Sequence, residues 1–383
     1  MEIFSNKLVD FIRATYNTVD YIPLHAPSFD SKEKEYILDT IDSTFVSSVG
    51  NYVTLFEDSV ARYTGHKYAV ATVNGTAALH VSLLASNIEP DDEVITQSLT
   101  FVATCNAIRY CRAQPVFIDV SKDTLGMSPT SLMDFLYEFA EVREDGLCWN
   151  KKTKRVIRAC IPMHSLGHPV EVDKIKKICS SYNIKLIEDS AESLGSFYKG
   201  KHTGTYGESS IISFNGNKII TSGGGGMILT NNATIEKKVR HLTTTAKESH
   251  SWFFSHNEVG YNYRLPNINA ALGLAQMEKL DSYVKSKRHL AQNYKKWFLN
   301  DDHVFVTEPK NSKSNYWFNA FYANDKVERD FILEYTNNNG VMTRPLWTPM
   351  HNLVMYNSCQ KTKMDNTNWL YEHIVCIPSS VIK

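Results

Sequence analysis

Two rhythms of apolar and polar positions run along this chain. Short apolar runs rich in β-branched residues recur at Tyr68–Val73, Glu93–Thr96, Pro115–Val120, Val156–Pro162, Ile184–Glu188, Ser210–Phe214 and Met227–Thr230. Stretches with helical periodicity lie between them. Strand-length runs that are apolar almost throughout, alternating with helices, predict an α/β fold. Its central seven-stranded sheet is expected to be mostly parallel and covered on both faces. Ahead of these runs, residues 5–17 put Leu8, Phe11 and Ile12 on one helical face and predict an amphipathic lead-in helix.

The rhythm changes near Asn267. Residues 267–299 read as one long helix, with Gly273 as its weak point. A smaller α+β segment follows: a strand at Tyr316–Tyr322, a helix over Val327–Asn338 and a strand over Val341–Leu346. This predicts a large domain over 1–266, lead-in included, and a small C-terminal domain over 267–383. The polar stretch EVREDGLCWNKKTKR between two core strands predicts a surface hairpin.

Charge narrows the function. Lys+Arg and Asp+Glu both total 41, which disfavours a protein built to grip nucleic acid or an anionic membrane. The seven cysteines are odd in number and no two have CxxC spacing, so reduced thiols are expected rather than a metal site or disulfide framework. No apolar run reaches spanning length, and the first residues do not read as a signal peptide. A soluble, cytoplasmic protein is expected.

Three places carry candidate chemistry. Asn74-Gly75-Thr76-Ala77-Ala78-Leu79-His80 follows a strand and opens a helix, where free N–H groups and the helix dipole can hold a phosphate. A plain strand–helix turn has the same pattern. Glu188 and Asp189 close an apolar strand, where open α/β sheets place ligand-binding groups. An Asp there can keep a pyridine nitrogen protonated, or simply cap a helix. Lys218 sits between a strand end at Ser213 and four glycines, Gly223 to Gly226. It can form a Schiff base if its amine is neutral and accessible; a surface lysine beside a loop is the alternative. All three lie at strand ends of one sheet, in the order phosphate cup, ring-nitrogen acid, Schiff-base lysine.

With those residues in place, the chain resembles the DegT/DnrJ/EryC1/StrS family of pyridoxal-phosphate-dependent nucleotide-sugar aminotransferases, which have the type I (aspartate aminotransferase) fold. The resemblance runs from about Ile22 to Pro378 and rests on NGTAALH, TFVAT, PVFIDV, HSLGHP, EDSAESLGS, SFNGNK, GYNYR and TRPLWTPMH. VSSVGNYV, SFNGNKIITSGGGG and the inserted REDGLCWNKKTKR look most like the legionaminic-acid and diamino-sugar subgroup.

The resemblance implies roles. Lys218 holds pyridoxal 5'-phosphate and shuttles a proton, Asp189 binds the ring nitrogen, and Phe101 stacks on the ring. Gly75, Thr76, Ala77 and Ser213 hold the phosphate. Asn262 reaches the cofactor of a neighbouring subunit in a homodimer. His164, Arg344 and His351 are candidates for the sugar side. Glu192 stands where Gln or His commonly meets the cofactor's O3′, and Gly224 replaces the Glu of Gly-Glu-Gly-Gly. The family's chains also continue past the IPSS stretch into a last helix, whereas here Val381-Ile382-Lys383 follows it.

The implied reaction takes the amino group of L-glutamate, passes through pyridoxamine phosphate, and delivers it to the C4 ketone of a nucleotide-linked 4-keto-6-deoxy-N-acetylhexosamine. UDP is the expected nucleotide, with GDP- or dTDP-linked sugars and C3 amination as alternatives. Two further rivals are a dehydratase, which carries His in the lysine slot, and a non-catalytic regulatory protein on the same fold.

Overall fold

In the computed structural model, which describes residues 1–382, the seven apolar runs form one sheet. Its strands are β1 (Tyr68–Thr72), β2 (Glu93–Gln97), β3 (Gln114–Ile118), β4 (Ile157–Ile161), β5 (Lys185–Asp189), β6 (Ser209–Ser213) and β7 (Gly226–Thr230). Their spatial order is β1-β7-β6-β5-β4-β2-β3. β7 runs antiparallel to both neighbours, and every other pairing in this sheet is parallel. The expected type I, mostly parallel α/β architecture is what the chain adopts.

The first helices are α1 (Glu2–Tyr16), α2 (Glu33–Asp42), α3 (Asn51–Thr64), α4 (Gly75–Ala85) and α5 (Val102–Tyr110). Next come α6 (Pro129–Phe139), α7 (Val172–Ser181), α8 (Ala233–Thr243), α9 (Asn267–Met277) and α10 (Leu280–Phe298). α11 (Lys326–Asn338) and α12 (Asp365–His373) close the series.

Strand alternation sends neighbouring residues to opposite faces of the sheet. Ile211 and Ile228 pack with Ala78 and Leu79 of α4 and Val239 of α8. Their neighbours Ile212 and Met227 pack on the other side with Phe56 of α3 and Ala270 of α9. Both faces are therefore closed, which is why these strands are apolar throughout.

The long helix expected over 267–299 is two. α9 and α10 meet at Glu278 and Lys279, where the Lys279 N–H bonds Gln276 O, three residues back, at 3.1 Å. Gly273 is not the break: it lies inside α9 on the face of Phe56, whose ring atoms approach too closely for a side chain. Apolar periodicity continued smoothly across the junction because Met277, Leu280 and Val284 all pack into the same core.

Beyond α10 a smaller sheet forms from β8 (Val304–Phe305), β9 (Asn319–Tyr322), β10 (Arg344–Pro345) and β11 (Ile374–Ile377), in the order β8-β9-β11-β10. α1 buries Phe4, Leu8, Val9 and Ile12 here, against Leu290 and Phe298 of α10, Phe321 of β9 and Ile332 of α11. The polar excursion is a hairpin pairing Ala140–Val142 with Cys148–Asn150, anchored by Asn150 Nδ2 donating to Glu93 Oε2 at 2.7 Å.

The topology gathers the carboxyl ends of β1, β5 and β6 and the start of β7 at one edge. Gly226 pairs with both Thr72 and Ser213. A Cβ on Gly226 would lie 2.4 Å from Asn74 O, so glycine lets β7 begin directly against the β1–α4 turn.

Gly273→Ala tests the α9 packing. Alanine raises helix propensity, yet its Cβ would sit 2.7 Å from Phe56 Cζ. A net loss of about 1–2 kcal/mol is expected, overpacking outweighing propensity, read as a lower urea midpoint that Phe56→Leu partly restores.

Candidate active site

A cavity of about 650 Å³ opens at this edge of the sheet. It is lined by Gly75, Thr76, Phe101, Asp189, Glu192, Ser213, Lys218 and Arg344, among others. Eight of the twelve residues singled out in the sequence therefore meet at one place.

β5 explains how two adjacent acids part company. Glu188 points away from the cavity and is fully buried. Its Oε2 accepts from Gly204 N–H at 2.8 Å and lies 3.1 Å from His164 Nε2; its Oε1 accepts from Tyr206 and Gly207 N–H, each at 2.7 Å. Burial pushes its pKa up, but His164 and the backbone donors more than offset this, and the carboxyl sits below its usual range. Glu188 is a structural hub for the 204–207 turn.

Asp189, one residue on, faces the cavity. Thr104 Oγ1 donates to its Oδ2 at 2.7 Å, and Ala191 N–H to its Oδ1 at 3.2 Å. Burial raises its pKa; the Thr104 hydroxyl, the Ala191 N–H and the charge of Lys218 work against that rise.

Lys218 stands on a turn closed by backbone bonds from Phe214 N–H to Gly225 O at 2.8 Å and from Ser222 N–H to Phe214 O at 3.1 Å. Ile219 and Ile220, next in the chain, are buried in the α3–α9 core and anchor the turn. The Lys218 Nζ lies 3.3 Å from Glu192 Oε1 and 3.9 Å from the centre of the Trp317 ring. The Trp317 indole N–H donates to Asn217 O at 2.8 Å, which fixes the ring under the amine.

Glu192 faces the lysine rather than turning aside. Its Oε2 accepts from Leu166 N–H at 2.9 Å. Burial is the largest influence on it and lifts its pKa to about 7, with Lys218 pulling the other way. Near neutrality it can thus share a proton with the amine.

At the phosphate-cup position, Asn74 caps α4 by accepting from Ala77 N–H at 2.8 Å. The Ala77 N–H is committed to that cap and Ala77 does not line the cavity, whereas Gly75 and Thr76 do. The first N–H groups of a helix lack intrahelical partners, and Ser213 lies beside them.

Three other expected residues lie elsewhere. His164 is fully buried beneath β5, between Glu188 and the Val170 N–H, which donates to its Nδ1 at 3.2 Å. His351 packs against Ser98, whose Oγ is 2.7 Å from its Nδ1, outside the cavity lining. Asn262 is exposed and pairs with Thr244 in an isolated bridge.

Sequence reasoning did not single out Thr104 or Trp317. Thr104 was inside the TFVAT motif, three residues beyond Phe101, and a helical turn from Phe101 was the available clue. No local pattern signals Trp317, because its contact spans about a hundred residues.

The donor set suits pyridoxal phosphate. The cavity joins an accessible amine on Lys218, a buried carboxylate on Asp189 with one cation near it, a helix N-terminus at Gly75 and an aromatic face at Phe101.

Glu192 gives a pH test. Its pKa is raised on folding from 4.5, so its contribution to stability is full below pH 4.5 and lost as pH rises through about 7. Cofactor-free protein should lose on the order of 3 kcal/mol from this group across that window. Urea unfolding at pH 4.5 and pH 8, compared with Glu192→Gln, checks it; equal pH dependence in both proteins would refute the coupling.

Comparison with known proteins agrees with this geometry. The model of the DegT/DnrJ/EryC1/StrS aminotransferase family matches residues 27–381. GDP-perosamine synthase of Escherichia coli O157:H7 is 38% identical over 336 residues, 88% of this chain and 87% of that protein. A Bacillus subtilis (strain 168) protein, EpsN, provisionally named a pyridoxal phosphate-dependent aminotransferase, is 36% identical over 94% of this chain and 90% of its own. Among solved structures, Helicobacter pylori PseC, an aminotransferase of pseudoaminic acid biosynthesis, superposes with a TM-score of 0.84 at 22% identity, over 94% of this chain and 93% of that one. With the cavity, the lysine and the family match in agreement, this chain belongs to the DegT/DnrJ/EryC1/StrS aminotransferase family, whose enzymes work with pyridoxal phosphate.

Proposed function

We propose that this enzyme transfers the amino group of L-glutamate to the C4 ketone of a nucleotide-linked 4-keto-6-deoxyhexose, at the cavity where Lys218, Asp189 and Glu192 converge. The observation that carries this reading is Lys218 itself, an amine 3.3 Å from a buried carboxyl and seated over an indole in a cavity large enough for a cofactor and a sugar.

Pyridoxal phosphate, when bound, supplies an aldehyde for a Schiff base and a protonated ring that takes up electrons from the substrate carbon. The protein's own residues do the rest. Thr76, Gly75 and Ser213 bind the phosphate through N–H and hydroxyl groups at the opening of α4. Asp189 holds the proton on the ring nitrogen, and Phe101 covers a ring face. Lys218 Nζ carries a proton to and from the substrate carbon, and Glu192 Oε1 shares it, its pKa of about 7 suiting that exchange near neutrality. Arg344, exposed on the cavity wall, meets the anionic part of the sugar nucleotide. Asn262 lies outside its own cavity, in keeping with a homodimer in which it serves the other subunit.

Two nucleotides compete. The 38% identical relative is named GDP-perosamine synthase, which supports a GDP-linked sugar. The VSSVGNYV and SFNGNKIITSGGGG stretches resemble the legionaminic subgroup, which favours a UDP-linked N-acetylhexosamine.

Purified protein loaded with pyridoxal phosphate should absorb visible light, lose that band with L-glutamate and regain it with 2-oxoglutarate. Lys218→Ala should lower turnover by about 10²–10⁴-fold; wild-type rates in that variant would reject the assignment. Incubating glutamate-treated enzyme with GDP-, UDP- and dTDP-linked 4-keto sugars, and reading product mass and ring couplings, identifies the acceptor. A 3-amino product would overturn the C4 reading.

A further inference from the structure

We propose that Thr104, backed by Thr100, is the positioning residue that keeps Asp189 ionised and oriented, and thereby fixes the proton on the ring nitrogen of the bound cofactor. The inference deepens the functional reading above and rests on it.

Thr100 lies just before α5 and Thr104 in its first turn, with their hydroxyl oxygens 3.0 Å from each other. Thr104 Oγ1 donates to Asp189 Oδ2 at 2.7 Å, and Thr100 Oγ1 donates to Met163 Sδ at 2.9 Å. Thr100, Thr104 and Met163 are buried to 1% exposure or less and Asp189 to 4%, so no solvent intervenes. Each hydroxyl has one proton to donate. If Asp189 is ionised it can only accept, so Thr104 must donate to it in a charge-assisted bond, and Thr100 gives its own proton to Thr104 or to Met163. If Asp189 instead carries a proton on Oδ2, the chain reverses and ends on the Met163 thioether, a weak acceptor. The first arrangement is the stronger one. Thr104 therefore biases the carboxyl toward its ionised form, against the burial that favours the neutral one, and Thr100 supports it when its proton points to Thr104.

Thr104 has no structural duty that accounts for this. It occupies the first turn of α5, yet its hydroxyl bonds neither its own helix nor its cap; it reaches across to β5. The other groups acting on Asp189 come from separate elements. Lys218, on the β6–β7 turn, and His164, beneath β5, favour its charge. Glu192, on the loop that follows β5, and the buried Cys105 on α5 are also close enough to couple with it. Among these, Thr104 is the one side chain that hydrogen-bonds the Asp189 carboxylate directly.

The test uses Thr104→Val, which keeps the shape and removes the hydroxyl, and Thr104→Ser, which keeps the hydroxyl. In cofactor-free protein labelled with ¹³C at Asp carboxyls, the Asp189 midpoint should rise in the Val variant and stay near wild type in the Ser variant. In holoenzyme carrying ¹⁵N-labelled pyridoxal phosphate, the ring-nitrogen signal should move toward the unprotonated position in Thr104→Val alone. Its kcat with glutamate should fall by about tenfold or more while KM changes little, and Thr104→Ser should recover most of it.

An unchanged Asp189 midpoint in Thr104→Val overturns the proposal. So does an unchanged ring-nitrogen signal. If Thr104→Val fails to fold, Thr100→Val serves: losing the upstream donor should raise the Asp189 midpoint by a smaller step, and no rise rejects the chain. The carboxyl titration needs no cofactor. A wild-type protein that failed to bind pyridoxal phosphate through Lys218 would sink the functional reading and leave that titration to judge Thr104 separately.

Discussion

A carboxylate removed from water needs other donors or cations to replace its hydration, and the site is organised around how completely each buried acid is served. Glu188 has three backbone donors and a histidine. Asp189 has two donors, and Glu192 has one backbone donor and Lys218. The fully served acid holds a loop together. The two with spare lone pairs face the cavity, and their pKa values are raised because nothing in the protein finishes the work. On the proposed reading, a cationic ring nitrogen beside Asp189 would supply the counter-charge that its carboxylate is placed to use.

Rigidity beneath the site follows from the same edge of the sheet. The Lys218 turn is pinned on one side by Phe214, which packs 4.8 Å from Phe56, and on the other by Ile219 and Ile220. Gly226 brings β7 onto the Asn74 backbone and seats Ser213 next to the α4 N-terminus. The α4 N-terminus, Lys218 and Asp189 are thus held at the ends of four neighbouring strands, β1, β7, β6 and β5. That placement suits a reaction in which a proton must move between fixed atoms.

The sheet was legible because both of its faces are buried, so its strands are apolar throughout and stand out between helices. Lys218, Asp189 and Thr76 were legible because strand ends are where such folds bind ligands. What escaped depended on three-dimensional closure. The junction at Glu278 and Lys279 leaves no mark on apolar spacing, since Met277 and Leu280 enter the same core. His164 and His351 have residue types suited to a site, yet His164 is spent on Glu188 and His351 on Ser98. Trp317 comes from the C-terminal segment and meets Lys218 only after the two parts of the chain fold together.

The residues proposed to run the chemistry and those proposed to meet the sugar come from different parts of the chain. Asp189, Glu192 and Lys218 stand on or just after the central strands, whereas Met342, Arg344, Leu346 and Trp347 line the cavity from around β10. A substitution on that wall changes the shape and charge offered to a sugar nucleotide without touching the hydrogen bonds that set the proton on Asp189 or Glu192. Acceptor choice can therefore drift while the amine chemistry stays fixed. On the reading proposed above, the features that select the nucleotide are to be sought on the Arg344 side of the cavity rather than around Lys218.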